Sequence, residues 1–266
     1  MRYRDEQYVL DTLDDIRKET HENNIMLQHI CSYINSVLSN RKNDEQNAFE
    51  QNVVANLVSE LLHNMIVLID NGHGANTPGK CSPDKQIREY SYAREIASSL
   101  EQKLKEKGIT AIRIVTEEND VPLNTRVSRV NTICREFGSQ NCCVISIHLD
   151  ACPPNDGKWH NARGFSVRIA KNASSRSKKL ARLLYEQAEA LNLKGNRSVP
   201  PEKYWVQNLA ICRDTNCAAV LTENLFQDNK DDVAFLLSKE GKDAIVQLHL
   251  NGIIKYIEEN SKISQK

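Results

Sequence analysis

Three observations predict an α/β fold: a single three-layer domain with a mostly parallel six-stranded sheet flanked by helices, preceded by an N-terminal helical arm. From residue 65 onward, short β-branched runs alternate with longer amphipathic segments, the pattern of strand–helix–strand units. The runs MIVLI, CCVISI and AAVLT are predominantly apolar instead of alternating, as strands buried on both faces tend to be. Charge changes at the same boundary: residues 1–64 hold six Lys/Arg against eleven Asp/Glu, a net −5 that the remainder balances with +5. Residues 1–64 are therefore read as the arm and 65–266 as the domain that carries function.

In the arm, Val9, Leu13, Ile16, Thr20, Asn23, Leu27, Ile30, Ile34 and Val37 repeat at alternating four- and three-residue steps, the seam of a coiled coil with a polar notch in its middle. The expectation is either homo-oligomerisation through residues 9–38 or a helix packed on the body of the protein. Phe49, Val53, Leu57 and Leu61 mark a second amphipathic helix, so a helical hairpin is the other form the arm would take.

The domain opens with strand 65–69, which stops at the corner Asp70-Asn71-Gly72-His73-Gly74, where two glycines are expected to let the chain turn. A helix is expected over Ile87–Lys107, with Gly108 past its end, then a strand over Thr110–Val115 and a helix from Pro122 to Phe137, proline suiting a first helical turn. Strands are expected at Cys142–Ile147, Gly164–Ala170, Leu209–Arg213 and Ala218–Thr222, with helices at Ser174–Leu191, Asp231–Leu237 and Gly241–Glu259.

Several function classes are disfavoured. Net charge is zero overall and the arm is acidic, so no basic field points to nucleic acid. No apolar run has transmembrane length, so no stable membrane insertion is expected. The start MRYRDEQYVLDTLDD lacks the apolar core of a signal peptide, so cytoplasmic synthesis is the expectation. The eight cysteines include no C-x-x-C pair, which argues against a cysteine-only zinc site and for packed, reduced thiols; a Cys212–Cys217 pairing has no support in the sequence.

Four polar residues stand where this pattern builds a site. His73 follows the first strand, His148 and Glu223 end the strands CCVISI and AAVLT, and Glu89 opens the first domain helix. Ligands of open α/β sheets bind at the carboxyl ends of strands. Two imidazoles and a carboxylate leave a fourth position for water, as in zinc hydrolases, and a second carboxylate is then wanted for proton transfer. The alternative is a helix-capping glutamate with scattered histidines, of which His21, His29, His63, His160 and His249 would be further examples.

The stretches IVLIDNGHG, IREYSYAREIA, VISIHLDA followed by NARGFSV, and CAAVLTENLF together resemble the zinc-dependent N-acetylmuramoyl-L-alanine amidases of the amidase_3 type, in the form found in Bacteroides-type bacteria and their phages. The resemblance is collinear over roughly residues 65–260; the arm lies outside it. It implies that His73, Glu89 and His148 bind Zn²⁺ and that Glu223 is the catalytic carboxylate. LNTRVSRVN resembles the family's L-x-x-R…N helix, with Arg126 buttressing the site. Asn71 stands where many members have proline, and Leu149 where alanine is frequent. The implied reaction is hydrolysis of the amide between N-acetylmuramic acid and L-alanine of the stem peptide, with zinc activating water and Glu223 accepting a proton and returning it to the departing nitrogen. Peptidoglycan is the implied partner, reached in the periplasm after release or export, as by an endolysin or autolysin. The alternatives are a zinc peptidase or deacylase on another substrate and a non-catalytic wall-binding module. Asp70 and Asp150 are the nearest carboxylates in sequence for the second ring nitrogens of the histidines. Some relatives cover the zinc with an inserted helix; CPPNDGKWHNAR is too short for one, so the site is expected to be open or governed by the arm.

Overall fold

A computed structural model describes Asp11, Asp14 and Lys18, each helical, and residues 65–154 and 156–261. The coiled-coil seam, the second arm helix and oligomerisation through residues 9–38 otherwise lie outside the described residues.

The elements run β1 (Ile66–Asn71), α1 (Glu89–Glu106), β2 (Ala111–Arg113), α2 (Leu123–Phe137), a 3-10 turn (Ser139–Asn141), β3 (Cys142–Asp150), β4 (Ser166–Ile169), α3 (Ser175–Ala190), β5 (Trp205–Val206), α4 (Ala210–Arg213), β6 (Ala218–Phe226), α5 (Lys230–Leu237) and α6 (Lys239–Ser261). The six strands form one sheet in the order β2-β1-β3-β6-β4-β5. All neighbours are parallel except β4, which runs antiparallel to β6.

The apolar runs are buried on both faces, as their lack of alternation requires. Val67, Leu68 and Ile69 of β1 and Val144, Ile145 and Ile147 of β3 have no exposed surface; each such side chain contributes about 1.5–3 kcal/mol relative to exposure. The chain leaves β1 toward β2 on one side, while β3 lies on the other. The carboxyl ends of β1 and β3 therefore flank the crevice where the connections diverge, the place at which such sheets bind ligands.

Two expectations are corrected. Leu209–Arg213 is not a strand: Ala210–Arg213 is a short helix, closed by Arg213 N–H to Leu209 O and Asp214 N–H to Ala210 O, both at 2.9 Å. A short apolar run has no period that separates the two states; here the backbone bonds itself, and the fifth strand is Trp205–Val206. The other correction concerns strand ends. β3 continues to Asp150 and β6 to Phe226, so His148 and Glu223 lie within strands, opposite one another in register. Polar side chains are accommodated there because both point into the site.

The described cysteines are free thiols, so Cys212 and Cys217 are not paired; Cys31 lies outside the described residues. His249 is a satisfied core histidine: its Nε2 is 3.0 Å from Thr222 Oγ1 and its Nδ1 is 2.8 Å from Ile245 O. Burial pushes its pKa down to about 4, so it stays neutral.

Candidate metal centre

His73 sits one residue beyond Gly72 in the corner after β1, and it carries the unusual backbone itself, with φ 61. A non-glycine residue in this left-handed region costs roughly 1–3 kcal/mol and persists only where its surroundings enforce it. Here they do. The His73 carbonyl accepts from Arg94 Nη2 at 3.1 Å and more weakly from Arg126 Nη2 at 3.4 Å. Gly72 N–H donates to Ile147 O at 3.0 Å and Ala75 N–H to Glu118 O at 2.8 Å. The two glycines, expected from the sequence to let the chain turn, serve by allowing close approach, while the left-handed backbone falls on His73. A Cβ on Gly72 would stand 2.2 Å from His148 Cε1, and one on Gly74 would stand 1.9 Å from the Asp120 backbone nitrogen.

Gly72→Ala is therefore expected to leave the fold intact and displace the His148 ring. Far-ultraviolet circular dichroism should match wild type while zinc affinity falls at least tenfold, on the scale of disturbing a ligand's support. Unchanged zinc affinity would refute this reading of the glycine.

Glu89 is the first residue of α1 and is almost fully buried. Its N–H donates to Lys80 O at 3.0 Å, and a carboxylate is favoured at a helix N-terminus. Its Oε1 lies 3.0 Å from His148 Nδ1 and 3.3 Å from His73 Nε2, and accepts from Leu149 N–H at 3.1 Å. Gln227 Nε2 reaches its Oε2 at 3.4 Å. Burial pushes the Glu89 carboxyl up, but hydrogen bonds from His148 and then His73 outweigh it and hold the group well below the usual carboxylate range. It is thus an anionic donor at the focus of two imidazoles, whose rings meet edge-on with centroids 4.9 Å apart.

Among the described residues, His73, Glu89 and His148 form the one group of three such side chains able to hold a metal ion, their ligand atoms all within 4.8 Å of one another. Zinc with ligands about 2.0–2.2 Å away in tetrahedral array keeps them about 3.3 Å apart. Separations of 3.0 and 3.3 Å from the two imidazole nitrogens to the carboxylate oxygen, and the donor set of two imidazoles and a carboxylate, fit that ion. His73 and His148 are 19% and 17% exposed,, so the face of the group is reachable from solvent. No helix lies between β3 and β4 among the described residues.

Glu223 stands across from His148 on the neighbouring strand. Its Oε1 is 3.4 Å from Arg168 Nε, and its buried Oε2 has no hydrogen-bond partner. Burial, followed by the nearby Asp150 charge, raises its pKa to about 7, against the lowering pull of His148 and Arg168. A carboxyl that exchanges its proton near neutrality suits general acid–base work.

The side chains around these four were not all expected. Asp70 does not serve an imidazole: it accepts from Arg126 Nη1 and Ser146 Oγ, both at 2.6 Å. Asp150 does not either, since its Oδ2 accepts from Arg168 at 2.7 Å and Arg197 at 3.0 Å. Arg126 buttresses the corner as expected, binding Asp70, the Asn71 and Val121 carbonyls, and Asp120. Asn224, which fixes the His148 carbonyl at 2.9 Å, Gln227 and Arg168 were missed. Arg168 left a signal in the sequence: an arginine inside the apolar strand GFSVRIA needs a buried anionic partner. His160 joins Asp156 at 2.9 Å and is outside the cluster.

Residues 67–255 match the family model for N-acetylmuramoyl-L-alanine amidase, Amidase_3. An endolysin of Bacillus phage SPP1 is 25% identical over 194 residues, which cover 72% of this chain and 66% of the endolysin, a little under two thirds of its length. The catalytic domain of CwlV, an N-acetylmuramoyl-L-alanine amidase from Bacillus (Paenibacillus) polymyxa var. colistinus, superposes with a TM-score of 0.59 at 21% identity, covering 73% of this chain and 98% of that one. An N-acetylmuramoyl-L-alanine amidase from Clostridium difficile 630 gives a TM-score of 0.62 at 22% identity, covering 74% and 98%. The likeness to these two structures is one of fold.

Proposed function

The chain belongs to the Amidase_3 family of N-acetylmuramoyl-L-alanine amidases, and on that footing we propose that it is a peptidoglycan hydrolase cleaving the amide between N-acetylmuramic acid and the L-alanine of the stem peptide, with zinc held by His73, Glu89 and His148 and proton transfer by Glu223. The observation that carries the assignment is the convergence of His73 Nε2 and His148 Nδ1 on Glu89 Oε1, with Glu223 in register beside His148. Zinc, the norm in this family, would when bound there supply Lewis acidity toward an acyl oxygen and lower the pKa of water to roughly 7.

The chain's own residues do the rest. Glu223, with its free Oε2, takes the proton of the attacking water and hands it to the departing alanine nitrogen. Arg168 keeps the carboxyl aimed from one side. Arg94 and Arg126 hold the His73 backbone in its left-handed conformation, and the ring lies against Glu89 and His148. The exposed edges of the two imidazoles, with no helix above them among the described residues, support a site that is open without an activator. Action on the wall follows from the substrate; no described helix is long and apolar enough to cross a membrane.

The test pairs metal content with product analysis. Purified protein is expected to retain one zinc per chain, and His148→Ala to retain less than about a tenth of it, since loss of a ligand exceeds the 10–100-fold effect of disturbing its support. Digested sacculi should release free stem peptides and leave intact glycan strands. Cleavage inside the peptide would favour a zinc peptidase, and equal zinc in wild type and His148→Ala would refute the ligand set.

A further inference from the structure

We infer that the cavity beside Glu223 is a subsite for the stem peptide, in which Lys80, with Arg168 and Arg197, binds a carboxylate of that peptide. The inference rests on the amidase reading and adds to it a substrate feature and the residues that read it.

The cavity has a volume of about 500 Å³ and is lined by Glu223 but by none of His73, Glu89 and His148. Its position therefore distinguishes the two sides of the scissile amide. Glu223 returns its proton to the leaving nitrogen, so the substrate atoms that continue past Glu223 are those of the peptide and not of the sugar. A volume of this size lies within the usual range for small-ligand sites.

Its charge matches the same side. Lys80, Arg168 and Arg197 line it together with Asp150 and Glu223, so cations outnumber carboxylates by one. N-acetylated sugars are neutral and offer nothing to an excess cation, whereas the stem peptide carries free carboxylates. The two arginines are already fixed. Asp150 Oδ2 accepts from both, and the Arg197 guanidinium lies 5.4 Å from the Trp205 ring centroid and 4.6 Å from that of Phe226. They form a rigid positive wall, oriented before substrate arrives.

Lys80 is different. Its ammonium has no hydrogen-bond or ion-pair partner among the described residues, yet the side chain lines the cavity. Its backbone is anchored, since Lys80 O accepts the N–H of Glu89 at 3.0 Å. The backbone of Lys80 is thus tied to the start of α1, and its unmatched ammonium lies on the cavity wall within reach of a peptide carboxylate.

The experiment uses two purified muropeptides that differ only in whether the stem carboxyls are free or converted to carboxamides, with the full chain as wild type, Lys80→Met and Lys80→Arg. Lys80→Met removes a charge that has no internal partner, so it leaves no orphaned group in the fold. Wild type is expected to favour the free-carboxyl substrate in kcat/KM by about 10- to 100-fold, the scale of charge-assisted hydrogen bonds. Lys80→Met should reduce that preference about tenfold, acting on KM more than on kcat because the contact is present in ground and transition states alike. Lys80→Arg should retain most of the preference. Equal cleavage of both substrates by wild type, or an equal loss on both in Lys80→Met, overturns the subsite while leaving the amidase reading intact. Release of peptide from neither substrate by wild type overturns both.

Discussion

Glu223→Gln is expected to lower kcat by about 10²–10⁴-fold, the contribution of a positioned acid–base group, with zinc content unchanged. Glutamine keeps the shape and the contact with Arg168 but has no proton site, so the loss should appear in kcat and not in KM. Activity within a few-fold of wild type would remove Glu223 from the mechanism. The same variant carries a stability signature with a definite sign. The Glu223 pKa is raised from 4.5 to about 7 in the folded chain, by burial first and by Asp150 second. A group with a raised folded pKa stabilises the fold fully below its unfolded pKa, and that contribution is lost as pH rises through the folded value. Metal-stripped wild type should therefore lose stability relative to Glu223→Gln between about pH 4.5 and 7. Thermal melts of the two stripped proteins should coincide near the lower limit and separate above the upper one, with the variant the more stable. A difference in Tm that does not vary with pH would contradict the assignment of this shift to Glu223.

Replacing Arg126 is expected to be strongly destabilising. Its side chain is 2% exposed and is held 2.6 Å from Asp70, which is 2% exposed as well. It also binds Asp120 at 2.7 Å and the Asn71 and Val121 carbonyls at 2.8 Å. Arg126→Met leaves the Asp70 carboxylate buried with Ser146 as its remaining partner, a loss of about 3–5 kcal/mol. Adding Asp70→Asn should recover part of that loss, because the orphaned charge is then absent. Urea denaturation of both single variants and the double variant measures the coupling. A single Arg126→Met variant within about 1 kcal/mol of wild type would show that the buried pair is not what holds the corner, since exposed pairs are worth that little.

These two changes touch residues that were visible in the sequence to different degrees. Glu223 follows an apolar strand-length run, and so does His148, which made both legible as site candidates. Their shared register across β3 and β6 was not, because pairing of strands far apart in sequence leaves no local trace. Arg126 drew notice only through the resemblance of LNTRVSRVN, and its partner Asp70 was read as a candidate for an imidazole instead. Proximity in sequence to His73 favoured that reading; the strand alternation that turns Asp70 away from the ring and toward Arg126 overrode it. Leu209–Arg213 failed for a further reason. Four or five apolar residues carry too little period to choose between a turn of helix and a strand, and neighbouring backbone made the choice.

The sequence by itself determined the buried strands at the centre of the sheet and marked His73, Glu89, His148 and Glu223 as site candidates, since each depends on composition and period over a few residues. Only the tertiary structure decided how the corner after β1 works. The left-handed residue is His73 itself, held by Arg94 and Arg126 from α1 and α2, while Gly72 is small because the ring of His148 passes 2.2 Å from where its Cβ would lie. That clearance is set by two strands distant in sequence and adjacent in space, and excluded volume between such strands is written in no local pattern.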